Sequence, residues 1–173
     1  MARNAISFRV VTSADVPAMV QCNLTDAAAG PADPRMAAYL EGRHHPQQAL
    51  PARIGYVAFV GEQLIGYIAG HRTNRHGCEG EVQYLFVSPA YRLRGIGTAL
   101  VQRLAQWFAH EGARKVCIAV ANDSPPQLKP FVESLGATPL VKNWYAWCDL
   151  SMAVRAQFPL HPPEVFPTSS LRR

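Results

Sequence analysis

Cysteine is sparse in this chain and is nowhere paired at short range. The four thiols, Cys22, Cys78, Cys117 and Cys148, lie far apart, which excludes Cys-x-x-Cys chemistry. A chain of 173 residues buries enough surface to fold without disulfides; two of the thiols sit within apolar strand-like runs and are expected to be buried small hydrophobes, and a reducing compartment suits all four. Long apolar runs are also missing: none approaches the roughly 20 residues of a membrane span. The opening MARNAISFRVV has no apolar core of secretory-signal length, and these two absences predict a cytoplasmic protein with no membrane role. Charge is modest, 17% of residues against 49% hydrophobic, which excludes the composition of a disordered chain. The formal net charge of +5 favours anionic partners without choosing among them.

What is present is a succession of strand and helix patterns with no internal repeat. ISFRVV predicts a first strand. A helix follows, capped by Thr12, Ser13 or Asp15, with Val16, Met19, Val20 and Leu24 as its apolar stripe. Gly30 and Pro31 end it, and a short second helix is expected from Pro34. A hairpin of Ile54 to Val60 and Leu64 to Thr73 comes next, then the strand EVQYLFV. Leu100, Val101, Leu104, Trp107 and Phe108 fall at the spacing of an amphipathic helix that Gly112 stops. KVCIAVA is apolar throughout, as a strand covered on both faces should be. PPQLKPFVESLG predicts another helix, and ATPLV and NWYAWCDLSM predict the last strands. The expectation is one α/β domain over residues 1–152, a mixed, mostly antiparallel sheet of about seven strands flanked by about four helices. A proline-rich tail is expected over 153–173.

The stretch VSPAYRLRGIG crowds Arg92, Arg94, Gly95 and Gly97 into the junction between a strand and a helix. A helix start presents unpaired N–H groups and the positive end of the helix dipole, a natural seat for phosphate. Glycines let a ligand approach the main chain and let φ turn positive. The bland alternative is a tight connection only. The segment lacks the third small residue of the dinucleotide fingerprint and the Lys-Ser/Thr of a P-loop.

Arg92-Leu93-Arg94-Gly95-Ile96-Gly97 resembles the signature of the GNAT superfamily of acetyl-CoA-dependent N-acetyltransferases, which reads Arg or Gln, two residues, Gly, any residue, Gly or Ala. Pro89 and Tyr91 resemble its flank, and the element order from about Ile6 to Met152 is similar. The resemblance implies that acetyl-CoA is the co-substrate, its pyrophosphate on the amides of Arg92, Leu93, Arg94, Gly95, Ile96, Gly97 and Thr98. It implies a pantetheine arm paired with Leu85, Phe86 and Val87, where a main-chain N–H polarises the acetyl carbonyl, and contacted by Asn122. A tyrosine common in the family as proton donor to the thiolate would fall at Val132, and the usual glutamate base falls at Gln83.

Glu81, two residues before Gln83, shares its face if the strand alternates evenly, and a water on Gln83 would then link it to the substrate. The alternative is a solvated glutamate at a strand start. Tyr145 is a spare acid if the face bearing Tyr145 and Trp147 lines a pocket; the competing reading is core. Thus Glu81, Gln83 and Tyr145 are the candidate catalytic residues. His71, His76 and Cys78 lack a fourth ligand and fit no zinc spacing, so no metal is expected. No cysteine has a histidine partner in the pattern, which favours direct transfer to a primary amine over a covalent route. The expected acceptor is a small molecule or a peptide, with a homodimer left open. A cofactor-binding sensor or inactive relative competes with this reading. So does a nucleic-acid binder, although the arginines are scattered and no nucleic-acid role is expected.

Overall fold

The β-branched and aromatic runs on either side of Gly61 form the predicted antiparallel hairpin, longer than the sequence suggests. In the computed structural model, which describes residues 5–155, β2 spans Ala49–Val60 and β3 spans Gln63–Thr73. β1 (Ile6–Val10) pairs with β2, and β4 (Gly80–Val87) pairs with β3, all antiparallel. β4 then meets β5 (Val116–Ala119) in parallel, and β6 (Thr138–Val141) and β7 (Trp144–Trp147) complete a seven-stranded sheet in the order β1-β2-β3-β4-β5-β7-β6. This is the mixed, mostly antiparallel α/β fold that the sequence predicts.

The helix between β4 and β5 carries the main core. α3 (Ile96–His110) buries Leu100, Val101, Leu104, Trp107 and Phe108 completely against one sheet face. Each such side chain contributes roughly 1.5–3 kcal/mol by leaving water. α4 (Leu128–Ser134) adds Val132 to that layer. On the opposite face α1 (Val16–Asn23) and α2 (Met36–Leu40) supply Met19, Met36 and Tyr39 to a second core built on Val57 and Tyr67. Among the described residues no helix is long and apolar enough to cross a membrane.

Two differences from the expected elements have clear causes. Leu24, expected on the apolar stripe of α1, is its C-terminal cap residue and stands 64% exposed; Cys22 and Asn23 are buried there instead. The final strand, expected to reach Met152, stops at Trp147. The Asp149 carboxylate accepts from the N–H groups of Ser151 (3.0 Å) and Met152 (3.3 Å), an N-cap arrangement that starts a helix. The resulting α5 (Leu150–Arg155) buries Leu150 and Val154 in the α3 layer. It therefore runs across the expected boundary at 152, and the tail beyond Arg155 lies outside the described residues.

Where α3 crosses β3, the backbones are too close for side chains. A Cβ on Gly70 would lie 2.7 Å from the Glu81 carbonyl of the next strand and 3.0 Å from Leu104. Gly70→Ala should destabilise the fold by about 2 kcal/mol through overpacking, read as a lowered urea midpoint at unchanged slope.

Candidate active site

β4 and β5 hold together only briefly. Their pairing runs through Gly80 with Val116, Glu81 with Cys117 and Val82 with Ile118, and then stops while β4 continues to Val87. Beyond that point the β5 side of β4 is an open strand edge, able to take an extended ligand as an added strand. Leu85, Phe86 and Val87 lie on this edge and line a cavity of about 480 Å³.

The floor of that cavity is the start of α3. Gly95 is its N-cap with φ +79°, a left-handed conformation that favours glycine. Gly97 does not need positive φ; its lack of a side chain serves space, since a Cβ there would come within 3.2 Å of the Phe131 ring on the facing wall. The first helical hydrogen bond is Ala99 N–H to Gly95 O, 2.9 Å, so the N–H groups of Ile96, Gly97 and Thr98 precede the intrahelical ladder. They and the helix dipole make a seat for a phosphate group. The Arg92 N–H is engaged with the Pro89 carbonyl at 3.3 Å.

The two arginines of the loop differ in role. Arg92 turns inward: Nε donates to the Val87 carbonyl (2.9 Å) and Nη2 to Asp26 (2.5 Å). It clamps the loop to the segment after α1, and its guanidinium holds the Asp26 carboxyl below the ordinary carboxylate range. Arg94 stays exposed at the rim, lying over the Tyr91 ring. Asn122 is exposed in the turn after β5 and lines neither cavity described here; Ser124 and Pro125, a few residues on, do.

A second cavity, about 290 Å³, shares Leu85, Phe86, Pro125 and Leu128 with the first. Its polar lining comes from Asn23, Asp33, Tyr67, Gln83, Tyr84 and Ser124. Tyr84 Oη donates to Asp33 Oδ2 (3.0 Å), and Tyr67 Oη donates to Asn23 Oδ1 (2.6 Å). Burial works against the Asp33 charge, but hydrogen bonds from Arg35 and Tyr84 outweigh it and hold its carboxyl below the ordinary range. Burial, reinforced by the Asp33 charge, pushes the Tyr84 phenol up.

Gln83 lines this second cavity; Glu81 lines neither. The even alternation expected between them is broken by a bulge: Ala69 of β3 faces Tyr84 while Gly70 faces Val82, which leaves Gln83 as the extra residue. Glu81 is buried in a separate network. Its Oε2 accepts from Arg75 Nε (2.9 Å) and from Thr73 Oγ1 (3.4 Å). His71 Nε2 stands 3.4 Å from the same oxygen, within ion-pair reach but without hydrogen-bond geometry, while Nδ1 meets the Tyr39 hydroxyl at 3.0 Å. Burial alone would raise the Glu81 pKa; His71 and Arg75 reverse that and lower it.

Tyr145 donates to Glu133 of α4 (3.2 Å) on an exposed surface outside both cavities. Trp147 is core, its indole donating to the Leu135 carbonyl. Val132 is fully buried, and Phe131 rather than Val132 forms the cavity wall. His71, His76 and Cys78 have separate surroundings: His71 meets Tyr39, His76 packs on Trp144, and Cys78 packs with Cys117.

Asp33, Tyr84, Tyr67 and Asn23 are the cavity residues that the sequence pattern misses. Tyr84 carried a signal only through its place beside Gln83. Asp33, before Pro34, sits in the least periodic part of the chain.

Several solved structures with this architecture are acetyltransferases. The chain is similar to an acetyltransferase from Thermus thermophilus (20% identity, TM-score 0.61, covering 83% of this chain and 96% of that one). It is also similar to the PaiA N-acetyltransferase from Thermoplasma acidophilum, solved in complex with coenzyme A (16%, 0.61, 82% and 96%). A third is the ribosomal-protein-S18-alanine N-acetyltransferase from Escherichia coli (16%, 0.59, 82% and 90%). A comparison with curated proteins finds no match. The acetyltransferase (GNAT) family model matches residues 24–137, and the chain belongs to that family.

Two substitutions test the geometry. Gly97→Val pushes Phe131 and narrows the first cavity; acetyl-CoA affinity should fall at least tenfold in a calorimetric titration, with thermal stability little changed. Glu81→Gln leaves Arg75 without its buried partner and should cost about 3 kcal/mol in urea unfolding. Because the folded pKa of Glu81 lies below its ordinary value of 4.5, its contribution is complete above that value and drains away as pH falls through the folded pKa. The variant should lose this part of the acid dependence.

Proposed function

We propose that the protein transfers the acetyl group of acetyl-CoA directly to a primary amine. The observation that carries this reading is the convergence, in one cavity, of an open strand edge and a helix start, side by side with a second, polar cavity. The residues fit the co-substrate: the amides of Ile96, Gly97 and Thr98 suit its pyrophosphate, and the edge from Leu85 to Val87 suits an amide-bearing arm. Arg92 sets the loop and Arg94 supplies charge at the rim.

In this reading the second cavity receives the amine. Gln83 holds the water that takes the amine's proton, a task its own amide cannot perform. Glu81, tied to Arg75, acts on the fold rather than on the substrate. A thiol of pKa about 8.5 leaves readily as thiolate, so the lack of a phenol at Val132 does not prevent transfer; water supplies the proton. Burial raises the thiols of Cys22, to about 11, and of Cys78 and Cys117, which disfavours an acyl-cysteine intermediate at these three.

Thiol release should be measured with purified protein, acetyl-CoA and an amine panel. Intersecting double-reciprocal lines, with kcat/KM rising as pH approaches the amine's pKa, are expected for direct attack. Parallel lines would replace it by a covalent route, and acetyl-CoA binding without turnover would make the protein a sensor or an inactive relative.

A further inference from the structure

Among the described residues Asp33 is the single charged side chain lining the second cavity. Tyr84 holds its Oδ2 at 3.0 Å, while Oδ1 accepts the Arg35 backbone N–H at 2.8 Å. The carboxylate is therefore fixed from two sides, and its side chain is only 18% exposed. Among the described residues no lysine, arginine or histidine lines the cavity to balance an incoming negative charge. Building on the transferase reading above, we propose that Asp33 seats the ammonium group of the acceptor, and that the site selects primary amines with no carboxylate beside the amine.

The selection follows from what the cavity lacks. A free amino acid would bring its carboxylate into a partly desolvated space beside the Asp33 charge, with no cation among the lining residues to pair it, which is repulsive as well as poorly solvated. An amine whose neighbouring carbonyl is an amide, as at a peptide N-terminus, or a diamine carries no such group. Asn23, Gln83 and the Tyr67 hydroxyl offer neutral hydrogen-bond partners to it.

Arg35 is the resident competitor. Its Nε and Nη2 lie 3.0 and 3.2 Å from the Asp33 oxygens, but its side chain is 63% exposed, and an exposed pair of this kind is weak. A substrate ammonium displaces it. Asp33, held ionised, and Tyr84, held protonated, bind the ammonium rather than deprotonate it. One proton passes from nitrogen to water and frees the lone pair that forms the C–N bond; a second leaves nitrogen for water as the C–S bond breaks, and the thiolate takes a proton from water, so one proton is released per turnover.

The test compares leucinamide, 1,4-diaminobutane and leucine as acceptors, followed by thiol release. The amide and the diamine should be acetylated with kcat/KM at least tenfold above leucine. Asp33→Asn keeps an oxygen for the Arg35 N–H, so the turn survives; it should raise KM for leucinamide about tenfold with kcat within about twofold. Arg35→Ala should do the opposite and lower that KM. Calorimetric affinity for acetyl-CoA should be the same in both variants, which a general loss of structure would not leave unchanged. Equal use of leucine and leucinamide, or an unchanged KM in Asp33→Asn, overturns the assignment while leaving the transferase reading standing. Turnover of none of the three amines by protein that binds acetyl-CoA overturns the transferase reading, and this inference falls with it.

Discussion

Everything at the proposed site depends on β4 having two different neighbours along its length. Its first half is a parallel sheet strand locked to β5 by Gly80, Glu81 and Val82; its second half has β3 on one side only. An unpaired edge is normally a liability that proteins cover. Here the edge is walled instead, by the start of α3 below and by α4 opposite, so that an extended ligand of limited size can reach it and a second sheet cannot.

The bulge at Gln83 occurs at the same point, and the two features together divide the strand's duties. Before the bulge, Glu81 points into a buried network that joins β3, β4 and the following turn through Arg75 and Thr73. After it, Tyr84 faces the α1–α2 layer and Leu85 the α3 layer. Buried polar groups hold that layer in register as well. Arg53, almost wholly buried, donates to the carbonyls of Tyr39 and His44 at 2.8 Å each and lies over the Tyr39 ring. Burial pulls the Arg53 pKa below its ordinary value, and the cation, held by carbonyls and a π face, ties α2 to β2.

Much of this arrangement was legible in the residue pattern because it repeats a local rule over several residues. The stripe of Leu100, Leu104, Trp107 and Phe108 announced α3, and Gly95 next to a strand end announced where it starts. The family resemblance rested on that same stretch. What could not be read was set by single departures from regularity. One extra residue in β4 parts Glu81 from the second cavity that Gln83 and Tyr84 both line, and no spacing rule signals it. Asp149, a short polar side chain ahead of Leu150, turned an expected strand into α5. Asp33 lies in a segment with no period, where long-range packing, not propensity, decides the path. The polar lining of the second cavity gathers from five separate stretches of chain, a proximity only the fold creates.

The first cavity has a consequence for how such a chain tolerates change. In the proposed reading its main contacts toward a ligand are main-chain groups, a strand edge and a helix start, and a peptide N–H is the same whatever residue bears it. The left-handed turns at Leu93 and Gly95 and the clearance at Gly97 write the clearest demands into the residue alphabet. A recognition surface of this kind sets a shape to be kept and leaves most letters free, so chains sharing a fifth or less of their residues with this one can drift far in sequence while the groove between β4 and β5 stays open.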